Sequence, residues 1–346
     1  MAKKAIKKKS FTLDSLKKSH SSKTKYKPTS YFDVGEAFHK ASGLPGPVMH
    51  NINMFLGHSN SSKTTALIGS AVSAQKQGYL PVFLITERKW AWDYCDKLGL
   101  ESQLVVNDEG EEVIDGMFLF NDDFQTIEQI TDYVNELLDI QEKEGMPDGP
   151  DGEKLKGYLF LWDSIGSVPC QMTFDGKGGG MHNARVLADK IGMGITSRIT
   201  NSKRDDYPYD NTMVMVNQPW VELPDNPFGQ PKIKAKGGNA IWLASALIFL
   251  FGNQKNAGVS QLSATKDGRK VAFATKTKIS IIKNHVNGLG YMDGKIIATP
   301  HGYIEDTPES IKQYKEEYAE YWKDVMGGDA FGMDETKNTF MDSDEK

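Results

Sequence analysis

The chain has 346 residues, 39% of them hydrophobic, a formal net charge of −5, and two cysteines, Cys95 and Cys170, far apart in sequence. That is enough apolar material for one large core with appendages or for two modest domains. Two distant cysteines exclude a disulfide framework or a CxxC metal site within the chain and point to a reducing cytoplasm; no run of 18 apolar residues exists, so no membrane span is predicted.

Charge is spread unevenly. Residues 1–27 are lysine-rich ("MAKKAIKKKS", "KTKYK") and the end, "DETKNTFMDSDEK", is mostly acidic. Such blocks read as solvated tails. The charged N-terminus has no apolar segment behind it, so it does not read as a secretory signal.

In chain order, "INMFLG" is a short apolar strand ending at Gly57. "KTTALIGSAVSAQKQG" has apolar residues at helical spacing and stops at Gly78. "PVFLITE" reads as a buried strand, "WAWDYCDKLG" as a short helix stopped by Gly99, and "GMFLFN" as another strand. "FQTIEQITDYVNELLDIQEK" is a long amphipathic helix before the breaker-rich "GMPDGPDG". "YLFLWDS" is a strand closing on an acid. The glycine-rich "FDGKGGGMHN" then leads into helical sequence to about Ser202. "NTMVMVNQ" is a strand followed by a long Pro/Gly/Lys loop. "WLASALIFLFG", "KTKISIIKN" and "KIIATPHGYIE" read as strands with no clear helix between them. Strand–helix alternation followed by a run of strands predicts an α/β fold: a mainly parallel twisted sheet flanked by helices, with an antiparallel extension.

One loop carries chemistry. "FLGHSNSSKTTA" follows a strand and opens a helix, as a phosphate-binding loop of the form G-x-x-x-x-G-K-[ST] does. Gly57 opens it, His58, Ser59, Asn60 and Ser61 form its body, and Lys63, Thr64 and Thr65 begin the helix. Backbone amides in such a loop nest around phosphate oxygens, and the helix N-terminus adds its dipole. Lys63 would reach the β- and γ-phosphates of ATP, and Thr64 would ligate Mg²⁺. Ser62 stands where the second glycine belongs. With negative φ there, serine costs little. Taken alone, the loop reads equally as a phosphate cradle or as a polar strand-to-helix turn.

Three other strand ends supply the remaining parts. Asp163 ends "YLFLWDS" as a Walker B carboxylate would, carried by a buried strand to the edge where ligands bind. Glu87 ends "VFLITE", where it can orient water at a γ-phosphate. Gln218 ends "MVMVNQ", where a neutral amide can sense that phosphate.

These pieces together resemble the RecA-type recombinases over about residues 30–305, and among them phage recombinases of the UvsX type most. "YFDVGEAFHKASGLPG" is similar to the segment leading into the family's core, and "GHSNSSKTT" to its phosphate loop. "VFLITERKWAWDYCDKLG" is similar to the segment carrying the catalytic glutamate, here Glu87, and an adenine-stacking tyrosine, here Tyr94. "YLFLWDSIGSV" matches the Walker B strand. "MVMVNQPWVELPDNPFGQPKIKAKGGNA" matches the sensor glutamine, the second DNA-binding loop and its closing Gly237-Gly238-Asn239. "ISIIKNHVNGLG" resembles the strand whose basic residues, here Lys283 and His285, reach a neighbouring subunit's nucleotide. His285 departs from a frequent lysine, as Ser62 departs from glycine.

On the DNA side, Lys232, Lys234 and Lys236 alternate with other residues and can track phosphates, while Phe228 offers a face or wedge to bases. The glycine-rich "FDGKGGGMH" is a second such loop, and the resemblance adds Arg185 beyond it. The expected activity is DNA-dependent ATP hydrolysis that drives strand exchange, on a helical filament of identical subunits along single-stranded DNA that pairs with double-stranded DNA. The alternatives are a hexameric helicase on the same core and a non-catalytic ATP-binding scaffold. The resemblance implies a single-strand-binding protein and a loading mediator as partners, in the cytoplasm, a host cell's if the chain is phage-encoded. The expected organisation is a basic arm over 1–45, a core over 46–305, and a short helix with an acidic tail over 306–346.

Overall fold

Alternating side chains set the architecture, as seen in a computed structural model that describes residues 12–14, 17, 24–222, 232–253, 258–266 and 269–321. In β1 (Ile52–Gly57), Phe55 joins one apolar layer while Met54 and Leu56 join the other. Successive strand residues point to opposite faces, so a strand buried on both sides must be apolar throughout. β2 (Leu80–Ile85), β6 (Tyr158–Asp163) and β7 (Thr212–Asn217) follow the same rule. With β5 (Leu119–Asn121) and β10 (Leu247–Phe251) they pair in parallel in the order β5-β2-β6-β7-β1-β10.

Beyond β10 the sheet becomes antiparallel through β12 (Arg269–Asn284), β13 (Tyr291–Thr299) and β14 (Gly302–Glu305), and β11 (Val259–Lys266) pairs with β12. The expected mainly parallel sheet with an antiparallel extension is what forms. One face carries α1 (Glu36–Ser42), α2 (Lys63–Lys76) and α3 (Trp92–Lys97). The other carries α4 (Ile127–Glu144), α6 (Gly180–Leu187), a wider-wound continuation (Ala188–Ile195) and α7 (Thr196–Asn201). A four-residue turn of helix, α5 (Gln171–Phe174), lies between α4 and α6 in sequence. The start of α4 is fixed locally. Thr126 Oγ1 accepts from the Gln129 amide at 3.4 Å, and Gln129 Oε1 accepts from the Thr126 amide at 3.3 Å.

Three local expectations are corrected. Residues 103–115, for which the sequence analysis assigns no element, form a hairpin of β3 (Gln103–Val106) and β4 (Glu112–Asp115). Its strands are short and half exposed, so they lack a buried run. The long Pro/Gly/Lys loop has a paired stem of β8 (Pro219–Glu222) and β9 (Lys232–Ala235); the Lys-Ile-Lys-Ala alternation is a strand period. "WLASALIFLFG" is not one strand. Asn239–Ala244 is a helix, α8, and Ser245 turns to extended backbone at ψ 126° before β10.

The register aligns the carboxyl ends of β1, β7, β6 and β2: Leu56 pairs with Asn217, Trp162 with Met215, and Ile85 with Asp163. Ligands of open α/β sheets bind outside such ends. Helix α1 is tied to the core by Phe38, whose ring lies 5.4 Å from Phe249 and 5.8 Å from Tyr303. A last helix, α9 (Pro308–Glu317), caps the antiparallel end and is itself capped by Thr307, whose side chain accepts from the Ser310 amide at 3.1 Å. Phe38→Ala is expected to cost about 3–5 kcal/mol, the range for truncating a buried aromatic. Urea denaturation followed by circular dichroism checks this, and an unchanged midpoint would remove α1 from the core.

Candidate functional site

Gly57, at the end of β1, cannot be larger: a Cβ there would lie 2.5 Å from the Phe251 carbonyl oxygen and 2.6 Å from Ser61 Oγ. The loop then turns through two left-handed residues, Asn60 (φ 60°) and Ser62 (φ 63°, ψ 21°). Asparagine tolerates this conformation. Serine does not favour it, and left-handed backbone costs an L-residue about 1–2 kcal/mol. The expectation of an inexpensive serine rested on negative φ; the angle is positive, so Ser62 carries strain that glycine would not.

Lys63, the first residue of α2, is buried. Its ammonium donates to the His58 carbonyl oxygen at 2.6 Å and to Ser61 Oγ at 3.3 Å, both neutral groups. Burial pushes its pKa down to about 8, against the opposing pull of Asp163 and Glu87. Thr64 Oγ1 donates to Asp163 Oδ2 at 2.9 Å. Burial pushes the Asp163 carboxyl up to about 6 although that hydrogen bond pulls it down. The Asp163–Ser164 peptide is cis, and Ser164 Oγ donates to Glu87 Oε1 at 2.8 Å.

These side chains share a cleft of about 230 Å³ lined by Ser59, Asn60, Lys63, Thr64, Glu87 and Gln218, among others. The structure thus brings the sequence-selected loop, Glu87, Asp163 and Gln218 together. Lys89 and Trp90 also line it and were missed. Both follow Glu87 in a short turn, where no periodic signal marks them. On the loop's other side a cavity of about 530 Å³ runs from Asn60–Thr65 past Tyr94 to Thr299 and Pro300. The Tyr94 hydroxyl lies 2.7 Å from Thr65 Oγ1.

The cleft suits a divalent cation. Thr64 Oγ1 and Asp163 Oδ2, adjacent and hydrogen-bonded, are hard oxygen donors of the kind Mg²⁺ takes, one carboxylate with few other protein ligands. It also suits an anion, because the Lys63 ammonium is buried against neutral oxygens and a buried cation is costly until it is paired.

Gln218 connects this cleft to a second region. Its side-chain oxygen accepts from Lys236 Nζ at 3.0 Å, and the Lys236 backbone amide donates to the Gln218 carbonyl oxygen at 3.3 Å. Lys236, Gly237, Gly238 and Asn239 face Met181 and Ala184 of α6 across a cavity of about 710 Å³. Gly237 is favoured there by its φ of 90°. Arg185 is exposed on α6 beside this cavity without lining it. The backbone of Lys232 and Lys234 lies in β9, while Phe228 lies outside the described residues. Trp220, 65% exposed, and Met181, 88% exposed, line the same cavity and were not selected from sequence. A tryptophan two residues past Gln218, in a polar loop, was the available signal.

Lys283 and His285 are not brought to the loop. Asn284 pairs with Leu247 at the far edge, whereas Gly57 pairs with Phe251 at the loop edge. Lys283 Nζ donates to the Trp242 and Leu243 carbonyl oxygens at 2.6 and 3.1 Å, and the His285 amide to the Ala246 carbonyl oxygen at 2.9 Å. Within one subunit they are separated from the phosphate loop by the length of β1.

The raised Asp163 pKa has a stability consequence. Its folded value of about 6 exceeds its ordinary 3.8, so the folded state holds the proton more tightly. Ionised Asp163 therefore costs stability above about pH 6, and the cost fades as pH falls from there toward 4. Asp163→Asn is expected to be more stable than the unaltered protein by about 1–3 kcal/mol at pH 7.5. The gain should shrink toward zero near pH 4 in thermal denaturation series. A gain independent of pH would mean the carboxyl is not desolvated.

Comparison with known proteins gives a distant likeness. No family profile matches the chain. Protein RecA of Nocardioides is 23% identical over 252 residues, covering 71% of this chain and 58% of that protein. Protein RecA of Mycobacteroides abscessus is 22% identical over 267 residues, covering 75% and 63%. Protein RecA of Corynebacterium diphtheriae is 23% identical over 267 residues, covering 75% and 58%. The chain thus spans about 60% of the length of these relatives. Among the described residues, no helix is long and apolar enough to cross a membrane. A distant likeness to RecA proteins over about 70% of the chain is what these comparisons carry, and the α/β sheet with its antiparallel extension accords with it.

Proposed function

We propose that the chain is an ATP-dependent DNA recombinase of the RecA type, close to phage UvsX-like members and cytoplasmic. It would form helical filaments on single-stranded DNA and exchange strands with a homologous duplex. The observation that carries this is the buried Lys63 ammonium, hydrogen-bonded among the described residues to neutral oxygens and drawn by the nearby Asp163 and Glu87 carboxylates, beside the Thr64–Asp163 pair. Such a site offers a cation to a phosphate, and a hydroxyl and a carboxylate oxygen side by side to a metal. The RecA likeness, at low identity, supports the choice of ATP and DNA over other phosphate ligands.

In this reading the loop amides from His58 to Thr65 bind the phosphates, and Lys63 leaves its loop oxygens to pair with them. Thr64 and Asp163 would hold Mg²⁺, which when bound would neutralise phosphate charge and so favour phosphoryl transfer to water. Glu87, steadied by the Ser164 hydroxyl, orients that water and takes its proton. Gln218 donates its side-chain N–H to the γ-phosphate while its side-chain oxygen accepts from Lys236 Nζ, so nucleotide state reaches the DNA-binding segment. Lys232, Lys234, Lys236 and Arg185 contact DNA phosphates. Phe228 and the exposed Trp220 offer faces to bases, for which stacking is worth about 1–3 kcal/mol per base. Lys283 and His285, at the far sheet edge, meet the nucleotide of the next subunit along the filament. A single-strand-binding protein and a loading mediator are the further partners this assembly needs on covered DNA.

Two assays test the reading. The unaltered protein should hydrolyse ATP faster with single-stranded DNA and exchange strands between homologous DNAs; duplex unwinding without exchange would contradict it in favour of a translocating motor. Glu87→Gln should keep ATP binding and lose at least ~10²-fold in turnover, the lower range for removing a general base. Normal turnover in that variant would assign the water to another group.

A further inference from the structure

The left-handed Ser62 needs something to hold it, and its own side chain does not. Ser62 Oγ is turned back onto the Ser61 carbonyl oxygen at 2.6 Å and makes no capping bond to α2. The usual helical partner of the Ser62 carbonyl is the Ala66 amide, here stretched to 3.4 Å, beyond the 2.7–3.2 Å of a good N–H···O bond. A different group has taken that oxygen. The hydroxyl of Tyr303, 241 residues away in β14, donates to it at 2.5 Å.

We propose that Tyr303 is a positioning residue for the phosphate loop: its hydroxyl pins the Ser62 carbonyl and so holds a serine in the left-handed shape that glycine would adopt unaided. This rests on the nucleotide reading of the loop. Tyr303 is itself rigidly placed. Its ring lies 5.8 Å from that of Phe38, and its backbone pairs with Ala298 of β13. Burial of its hydroxyl pushes the phenol pKa well up, so it remains a donor across the physiological range. Thr65, three residues beyond Ser62, meets the Tyr94 hydroxyl at 2.7 Å. Two tyrosines from distant segments thus clasp the first turn of α2, and the direction of the loop amides and of Lys63 follows from that clasp. The strain at Ser62 and the pin from Tyr303 are one device. Without the pin, the serine relaxes toward negative φ and the amides turn away from a shared centre.

The test is a double-mutant cycle on the full chain with Tyr303→Phe, Ser62→Gly and both together. The readout is affinity for a fluorescent ATP analogue with Mg²⁺, with loop hydrogen exchange over residues 58–66 as a second measurement. Tyr303→Phe should weaken binding about 5–10-fold, the loss of roughly one good hydrogen bond, and speed exchange in the loop. In the Ser62→Gly background the same change should alter affinity less than twofold, because glycine needs no pin. Should Tyr303→Phe alone not fold, the double variant should fold and bind, and its failure to do so overturns the proposal. Unaltered affinity in Tyr303→Phe overturns it, and so does an equal loss in both backgrounds, which would make Tyr303 a packing residue only. A wild-type protein that does not bind the analogue overturns the nucleotide reading instead, an outcome distinct from both.

Discussion

The chemistry of this chain depends on the register of four parallel strands. β1, β7, β6 and β2 end at one edge, and Gly57, Gln218, Asp163 and Glu87 lie at or just beyond those ends. A strand slipped by one residue would turn its terminal side chain to the opposite face. The register is protected because both sheet faces are buried: Phe55 packs among Phe38, Phe249 and Phe251, while Met54 and Leu56 pack in the other layer. Core packing and site geometry are therefore the same constraint seen from two sides.

Within the cleft, burial and charge oppose one another. Desolvation pushes Lys63 toward its neutral form and Asp163 toward its protonated form. Each pulls the other back toward charge. Such a site is poorly satisfied by the protein alone, which is why Lys63 turns to the His58 carbonyl and Thr64 to Asp163. On the proposed function, a phosphate with a divalent cation would pair with these two charged groups.

Much of this was legible in the residues. Strand runs such as "YLFLWD" and "TMVMVN" are apolar throughout because both faces are covered, and each announces its own end with a polar residue. The loop was legible because its spacing is imposed by phosphate size. What was not legible depends on contacts remote in sequence. The carbonyl of the left-handed Ser62 takes a hydrogen bond from Tyr303, 241 residues on. The β3–β4 hairpin is half exposed and lacks a buried pattern. Helix α8 and β10 read as one strand because "WLASALIFLF" is apolar under both periods, and only Ser245 marks the break. The roles given to Lys283 and His285 require a second subunit, which no reading of one chain's contacts supplies.

On the proposed function, one nucleotide cleft, completed by a neighbouring copy, organises subunits along single-stranded DNA. Electron microscopy of the protein with single-stranded DNA, Mg²⁺ and a slowly hydrolysed ATP analogue tests it most directly. The account predicts helical filaments in which the analogue sits on Lys63 and Thr64 of one subunit and faces Lys283 and His285 of the next. Closed rings, or filaments whose nucleotide lies away from the loop at residues 57–65, would contradict it.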